Sequence, residues 1–450
     1  MGTIHSFSIL AKTAVLWVLP IAAQADGFGL SGHSVEGVSV SHAGSVAGYS
    51  DGSGAYLNPA SLTSIEKPTV SIGAHYIPLK FDMTSGGSTA VGGALQGSDT
   101  NEHDMSGVIP NFYGVIPLSD RVAAGLYLNV PFGLGTKYPS DWVGRYQATT
   151  TELTALSVGA SLGVEILDGW SIGGRLGGVH AEGRLENTLD FGTIGFAALG
   201  PETATQLGLT PQGADGAFKV RGEDWGLSWA VGTTLSYGDQ EQNRLGVALH
   251  GATELNLHGD SARFSLPPQA QPLTTSGAFV DTPATVSLTL PETVMLGGSH
   301  WITPHWEALY QSQWTRWTQL DTVSVRFENP AQPTATENYG YETSWKHSIG
   351  ASYYPEGKDG TWRLGAGFMY DRSPVRNLSS RSPRIPDSDQ YWFSTGLSYR
   401  FCDSFRTDLA YAFTKFAEST TERAGSTGDV LRGTWNNSFQ VFSLGFVWSY

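Results

Sequence analysis

The sequence predicts an all-β protein: a transmembrane antiparallel β-barrel of about fourteen strands, with an N-terminal plug inside the lumen. Three observations carry this. The last stretch alternates, with Phe442, Leu444, Phe446, Trp448 and Tyr450 on one face and Ser443, Gly445 and Ser449 on the other. A greasy face opposite a small polar one suits a strand with lipid outside and a packed or wet lumen inside. Similar runs recur from about residue 68 to the end, near Pro68, Val108, Arg121, Glu152, Trp170, Trp225, Asn243, Thr285, His305, Tyr341, Trp362, Tyr391, Phe405 and Asn437. Their number is even, as bacterial single-chain barrels require. Finally, the spacers alternate in length, as periplasmic turns and extracellular loops do.

Composition agrees. Glycine is abundant at 56 residues, charged residues are only 15% and aromatics reach 12%. That mix suits closely packed strands better than helices. No run after the N-terminus is long and apolar enough for a membrane helix. A barrel needs only alternate residues to be greasy, which reconciles a membrane location with modest hydropathy.

Residues 1–25 read as a secretory signal. Lys12 supplies a positive region, Ala14 to Ala23 a short apolar core, and Ala23-Gln24-Ala25 a small-residue cleavage site; the alternative is a short buried helix. Residues 26–67 are rich in Gly, Ser and Ala and lack greasy alternation. Phe28, Leu30, Val38, Val40, Tyr49, Tyr56 and Leu57 give this segment something to bury, which favours a plug over a disordered tail. Residues 68–450 form the barrel. Short turns are expected at Ser119-Asp120, Asp168-Gly169, Gly238 to Gln242, Thr303-Pro304, Glu356 to Gly360 and Cys402 to Ser404. Long loops are expected at Met83 to Gly107, Thr188 to Asp224 and Asp260 to Ala284. Trp170, Trp225, Trp301, Trp306, Trp362 and Trp448 lie near strand ends and fit interfacial girdles.

The loop from Thr188 to Asp224 contains a candidate short helix. Gly200 caps it, Pro201 takes the first position, Glu202 suits the positive end and Gly208 stops it. Ile194, Phe196, Leu199, Leu207 and Leu209 make this loop unusually apolar, which suggests a binding groove or packing over the barrel mouth.

The net charge of −15 argues against nucleic acid, and acidic loops outside a membrane account for it. One cysteine, Cys402, excludes an internal disulfide and a multi-cysteine metal site. No metal or cofactor is expected. Nor is there a Gly-x-x-x-x-Gly-Lys phosphate loop, so passage through the barrel is downhill.

Two stretches carry a resemblance to a known family. One is Ala55-Tyr56-Leu57-Asn58-Pro59-Ala60-Ser61-Leu62. The other comprises Tyr370-Asp371-Arg372-Ser373-Pro374-Val375 and Pro383-Arg384-Ile385-Pro386-Asp387-Ser388-Asp389-Gln390-Tyr391-Trp392-Phe393-Ser394. Leu290-Pro291-Glu292 and the Trp306 to Trp317 segment add a third point. Together they resemble the FadL family of outer-membrane transporters for long-chain fatty acids and other hydrophobic compounds. The resemblance implies a fourteen-stranded barrel with an N-terminal hatch, a greasy loop groove, a deeper pocket, and lateral release past a kinked strand. It places Asn58, Pro59 and Ala60 in the hatch, matches Asp371 to an acidic position, and aligns Lys346 with a basic residue of the deep pocket. Family members commonly carry Arg where this chain has Gln390; that departure implies weaker binding of an acid, or a neutral cargo.

A fatty acid needs a dry cavity for its tail and a cation or several donors for its carboxylate. Alternation turns Arg363 and Asp371 inward, and likewise Arg175, Arg244, His250, Glu307 and Arg400. Placed on the lipid face, an Arg or Lys would cost roughly 2–4 kcal/mol at the midplane. Each inward charge is a candidate pocket residue or a structural ion pair. The functional expectation is passive uptake of a hydrophobic small molecule by a barrel that is a monomer in outer-membrane lipid and lipopolysaccharide. Alternatives are a general diffusion porin, against which the plug argues, and an outer-membrane lipase or esterase. The latter is suggested by Gly-x-Ser-x-Gly patterns at Gly48 to Gly52 and Gly159 to Gly163, which lack the expected strand-to-helix context.

Overall fold

A computed structural model describes residues 29–238 and 242–450. The expected signal segment at 1–25, the Asp26 and Phe28 end of the plug, and most of the Gly238 to Gln242 turn lie outside the described residues.

Fourteen antiparallel strands form the wall. They are β1 (Thr69–Ser85), β2 (Thr100–Ser119), β3 (Val122–Lys137), β4 (Thr150–Leu167), β5 (Trp170–Asp190), β6 (Asp215–Tyr237) and β7 (Asn243–His250, resuming Thr253–Ser265). Then come β8 (Thr282–Leu290 and Thr293–Thr303), β9 (Trp306–Thr315 and Thr322–Phe327), β10 (Ser344–Tyr353), β11 (Trp362–Asp371), β12 (Gln390–Cys402), β13 (Phe405–Phe416) and β14 (Ser438–Ser449). Each pairs with the next, and β14 closes the cylinder on β1 from Thr69↔Ser449 to Lys80↔Ser438. Closure leaves no free edge in lipid, which is why strands can cross at all.

The outer face follows the alternation. Ile72, Leu126, Leu176, Leu227, Leu296 and Ile349 are all half or more exposed on the wall, as lipid contact demands. Trp170, Trp306 and Trp362 are exposed at the short-turn end, and Trp225 at the other. Trp301 departs from the girdle expectation. It sits on the inner face of β8 and packs against Tyr354, ring centroids 4.8 Å apart, because its neighbours in phase, Ser299 and Gly297, face the lumen.

Three strands run further than their greasy alternation. The structure starts β2 at Thr100 rather than Val108, starts β6 at Asp215 rather than Trp225, and carries β7 to Ser265, into the first part of the loop expected from Asp260 to Ala284. On the β5–β6 extension the outer face is charged. Arg184 pairs with Glu186 at 2.6 Å and Lys219 with Glu186 at 3.3 Å. Above the bilayer the backbone ladder persists without a greasy face, so the periodic signal disappears while the strand does not.

The N-terminal segment occupies the bore. It contains helices α1 (Val35–Ser39) and α2 (Gly54–Leu57), then a 3₁₀ turn at Pro59–Ser64. It bonds to strands around the circumference. The Leu30 amide donates to the Pro131 carbonyl at 2.8 Å. Ser71 donates to the Asp51 carbonyl at 2.6 Å. Ser45 and the Val46 amide both donate to Gln311 Oε1, and the Ser41 and Ser394 hydroxyls lie 2.8 Å apart. Wall glycines permit this closeness. Gly163 pairs with Gly173, and Gly173 with Gly232, making one bare row across β4–β6. A Cβ at Gly163 would stand 2.5 Å from the Pro59 carbonyl oxygen. Much of the glycine content therefore lets one backbone lie directly on another.

On the long-loop side, α3 (Phe191–Leu199) and α4 (Pro201–Gln206) form a pair. The second has the expected Gly200 cap and Pro201 start. The first was not foreseen; Asp190 caps it by accepting from the Thr193 amide at 3.0 Å.

Candidate functional site

Midway along the bore the N-terminal segment and the wall enclose a cavity of about 90 Å³. Strand interruptions shape it. Gly251 falls between the two parts of β7 and Pro291 between those of β8, and both line the cavity with Phe132 and Leu290. Leu30, His33, Tyr56 and Leu57 face it from the segment.

Two cationic side chains line it, Arg175 and Lys346. Lys346 is 9% exposed and lies 3.5 Å from Asp371, its registered neighbour on β11. Arg175 is 5% exposed and, among the described residues, has no carboxylate within ion-pair reach. Its Nη1 donates to Ser228 Oγ at 2.6 Å and to the Tyr127 hydroxyl at 3.2 Å. Its Nε is buried with no hydrogen-bond partner among the described residues. Its guanidinium carbon lies 4.2 Å from the centroid of the Tyr56 ring. A buried cation held by hydroxyls and an aromatic face keeps its charge available to an anionic ligand. His33 adds no positive charge near neutrality: burial lowers its pKa to about 4, outweighing the raising effect of its Asn129 hydrogen bond.

Toward the long loops lies a smaller apolar chamber of about 50 Å³, walled by Leu134, Leu153, Leu185, Leu257, Leu288 and Ile385 among others. On the short-turn side lies a polar cavity of about 440 Å³, which includes Glu36, Arg244, Glu307, Arg363, Arg400 and Arg406.

The candidates from sequence thus separate. Arg175 and Lys346 share the central cavity, with Asp371 behind Lys346. Arg363 and Arg400 lie instead in the short-turn cavity. Arg363 is 4.0 Å from Glu36 of α1, and Arg400 donates to the Asp359 carbonyl at 3.0 Å. Asn58 is fully buried. Its Nδ2 donates to the Val46 carbonyl at 2.7 Å and to the Thr233 carbonyl at 3.2 Å, while Oδ1 accepts from the Ala60 amide. Pro59 and Ala60 lie against the bare glycine row. Gln390 is fully buried on β12, accepts from Trp392 Nε1 at 3.3 Å, and stands outside the lining of the central cavity. Ser50 donates to Glu36 and Ser161 lies within β4, so neither Gly-x-Ser-x-Gly serine sits on a strand-to-helix elbow.

The chain matches, over residues 16–450, the family described as "Outer membrane protein transport protein (OMPP1/FadL/TodX)". It belongs to that family. Among FadL/TodX relatives, the "47 kDa outer membrane protein" of Pasteurella multocida is 27% identical, covering 94% of this chain and 95% of the relative. The "Long-chain fatty acid transport protein" of Escherichia coli K12 is 25% identical, covering 91% and 92%. Two solved structures share the fold. A Pseudomonas aeruginosa FadL homologue superposes with a TM-score of 0.83 at 20% identity, covering 96% of this chain and 99% of that one. The Pseudomonas putida toluene transporter TodX gives 0.64 at 18% identity, covering 92% and 98%. This FadL/TodX-family protein is accordingly a bacterial outer-membrane β-barrel, and its family is made up of transporters and channels.

In this family member the apolar loop residues fall into two settings. Leu209 is fully buried in a cluster with Phe191, Ala204 and Leu273, and Ile194, Phe196 and Leu199 pack partly against it. Leu207 is exposed at 38%. The partners of Arg175 were not singled out from sequence. Tyr127 and Ser228 lie 48 and 53 residues away, and the one available signal was their inward phase on β3 and β6.

Proposed function

We propose that the protein admits long-chain fatty acids, or molecules of similar shape with a weakly anionic head, by passive passage through the outer membrane. The observation that carries this is Arg175, a buried cation without a carboxylate partner among the described residues, lining the central cavity with the apolar chamber further along toward the long loops. The head binds Arg175, and the tail lies toward Leu153 and Leu257. Cargo is collected at the apolar long-loop face, where Leu207 is exposed and Ile194, Phe196 and Leu199 are partly exposed over the buried Leu209. The N-terminal segment acts as a hatch seated by Asn58, Pro59 and Ala60, and release is sideways between β2 and β3. Lys346 with Asp371 sets the far wall of the pocket; Arg363 and Arg400 hold the short-turn side. The barrel works as a monomer within lipid and lipopolysaccharide.

The central cavity is smaller than the several hundred Å³ usual for ligand pockets, so a chain enters only as the segment yields. That occupied bore disfavours a general diffusion porin. The test is binding of hexadecanoate and hexadecanol to the purified protein in detergent. Arg175→Gln should weaken the acid about 10- to 100-fold, the worth of a charge-assisted hydrogen bond, and leave the alcohol nearly unchanged. Equal losses for both, or none, would refute the assignment of Arg175.

A further inference from the structure

Arg175 touches the wall, the cavity and the N-terminal segment together. Its contact with the segment is the Tyr56 ring, in the last turn before Asn58. That ring is enclosed on its other sides by His33, Tyr127 and His250, with centroids 5.3, 5.4 and 5.6 Å away. His250 Nε2 lies 2.8 Å from the Leu57 carbonyl, so it carries the proton and donates. Nδ1 is then the acceptor that faces Arg175 Nη2 at 3.4 Å. A single guanidinium therefore supports two consecutive segment residues, Tyr56 through its ring and Leu57 through His250. Asn58 follows, with its bonds to Val46 and Thr233.

We propose that Tyr56 is a positioning residue that couples cargo to the hatch: an anionic head that draws Arg175 off this ring loosens the stretch from Gly54 to Ser64. This rests on the reading of Arg175 as the anchor for the head. A carboxylate on the guanidinium neutralises the charge that the ring attracts, and it tilts the group away from Ser228 and His250. The ligand and Tyr56 thus compete for one cation. Coupling of this kind is reciprocal. If ligand weakens the grip on the segment, removing that grip strengthens the ligand.

The test is hydrogen exchange and hexadecanoate binding on the purified full-length protein in detergent. In the wild type, hexadecanoate should speed exchange of the amides from Tyr56 to Ile65 severalfold, and hexadecanol should not. In Tyr56→Leu, those amides should exchange faster without ligand. Hexadecanoate should bind roughly 3- to 30-fold tighter, the range of a buried cation–π contact. Tyr56→Phe keeps the ring and should match the wild type. Should Tyr56→Leu fail to assemble, the wild-type comparison of acid with alcohol still decides. The coupling is overturned if hexadecanoate leaves wild-type exchange unchanged, or if Tyr56→Leu binds it no tighter. Arg175→Gln separates the two readings. Unaltered acid binding there removes the anchor itself, whereas weakened binding with a silent Tyr56→Leu removes only the coupling.

Discussion

Phe112 and Leu128 are the last residues that pair β2 with β3. Beyond them β2 goes on bonding to β1 as far as Thr100, and β3 to β4 as far as Lys137. The two strands part because β3 carries one extra residue: Asn129 to Phe132 spans three steps while Ser157 to Ala155 spans two. The bulge turns β3 inward, and Leu30 bonds to Pro131 there. Deleting Pro131 restores the count and should let β3 rejoin β2. We expect hydrophobic uptake to fall severalfold while the barrel still migrates as a folded, heat-modifiable band. Undiminished uptake by that deletion would remove the side route.

Asn58 joins the segment to itself and to β6 with one side chain, and it caps the Pro59–Ser64 turn. Asn58→Ala leaves the Val46 carbonyl without its side-chain donor, at a cost of about 1–3 kcal/mol for a buried group. The barrel wall, bonded strand to strand, does not depend on it. Uptake of a labelled fatty acid by cells carrying Asn58→Ala with Pro59→Ala should drop, with normal amounts of folded barrel in the outer membrane. Normal uptake would exclude these residues from the passage step.

Gly163 tests the packing of the segment on the wall. A methyl group there meets the Pro59 carbonyl oxygen at 2.5 Å, whereas one at Gly114 meets nothing nearer than the Phe112 ring at 3.9 Å. Gly163→Ala should therefore lift the segment locally and make it more sensitive to a protease added to the purified protein. Gly114→Ala should behave as the wild type. Equal protection in both variants would show that the contact at Gly163 is readily relieved.

The wall was legible because a period of two survives wherever one face meets lipid, as from Leu227 to Leu235 on β6. It failed where that condition fails, at the charged Lys219, Arg221 and Glu223 extension and at lumen-facing Trp301. Lumenal charges were legible too, since inward phase follows from the cost of an Arg in lipid. Their grouping was not. Arg175 and Lys346 share a cavity, while Arg363 lies beside Glu36; that division depends on how the N-terminal segment threads the bore. A segment without periodicity leaves no trace of its path in the sequence. The wall glycines were visible as abundance alone, because each one's purpose is a contact with residues distant in the chain.

The segment also carries opposed titrations. Burial first, and the charge of Glu36 second, raise the Asp51 carboxyl from 3.8 to about 6, against hydrogen bonds from Ser34 and Ser53. Stability from this group is fully present below its unfolded value and is lost as pH rises through about 6. His33 acts the other way. Burial lowers it from 6.5 to about 4, so its contribution is present above 6.5 and is lost as pH falls through about 4. In the interval between, the two changes offset one another in the packed segment. Asp51→Asn keeps the acceptor for the Ser53 amide and removes one side of the balance. Segment amides in that variant, corrected for intrinsic exchange, should be better protected than wild type at neutral pH. Their protection should then fall more steeply than in the wild type on acidification from 6.5 to 4. Parallel pH profiles in the two proteins would show that the titration of Asp51 does not govern how firmly the segment is held.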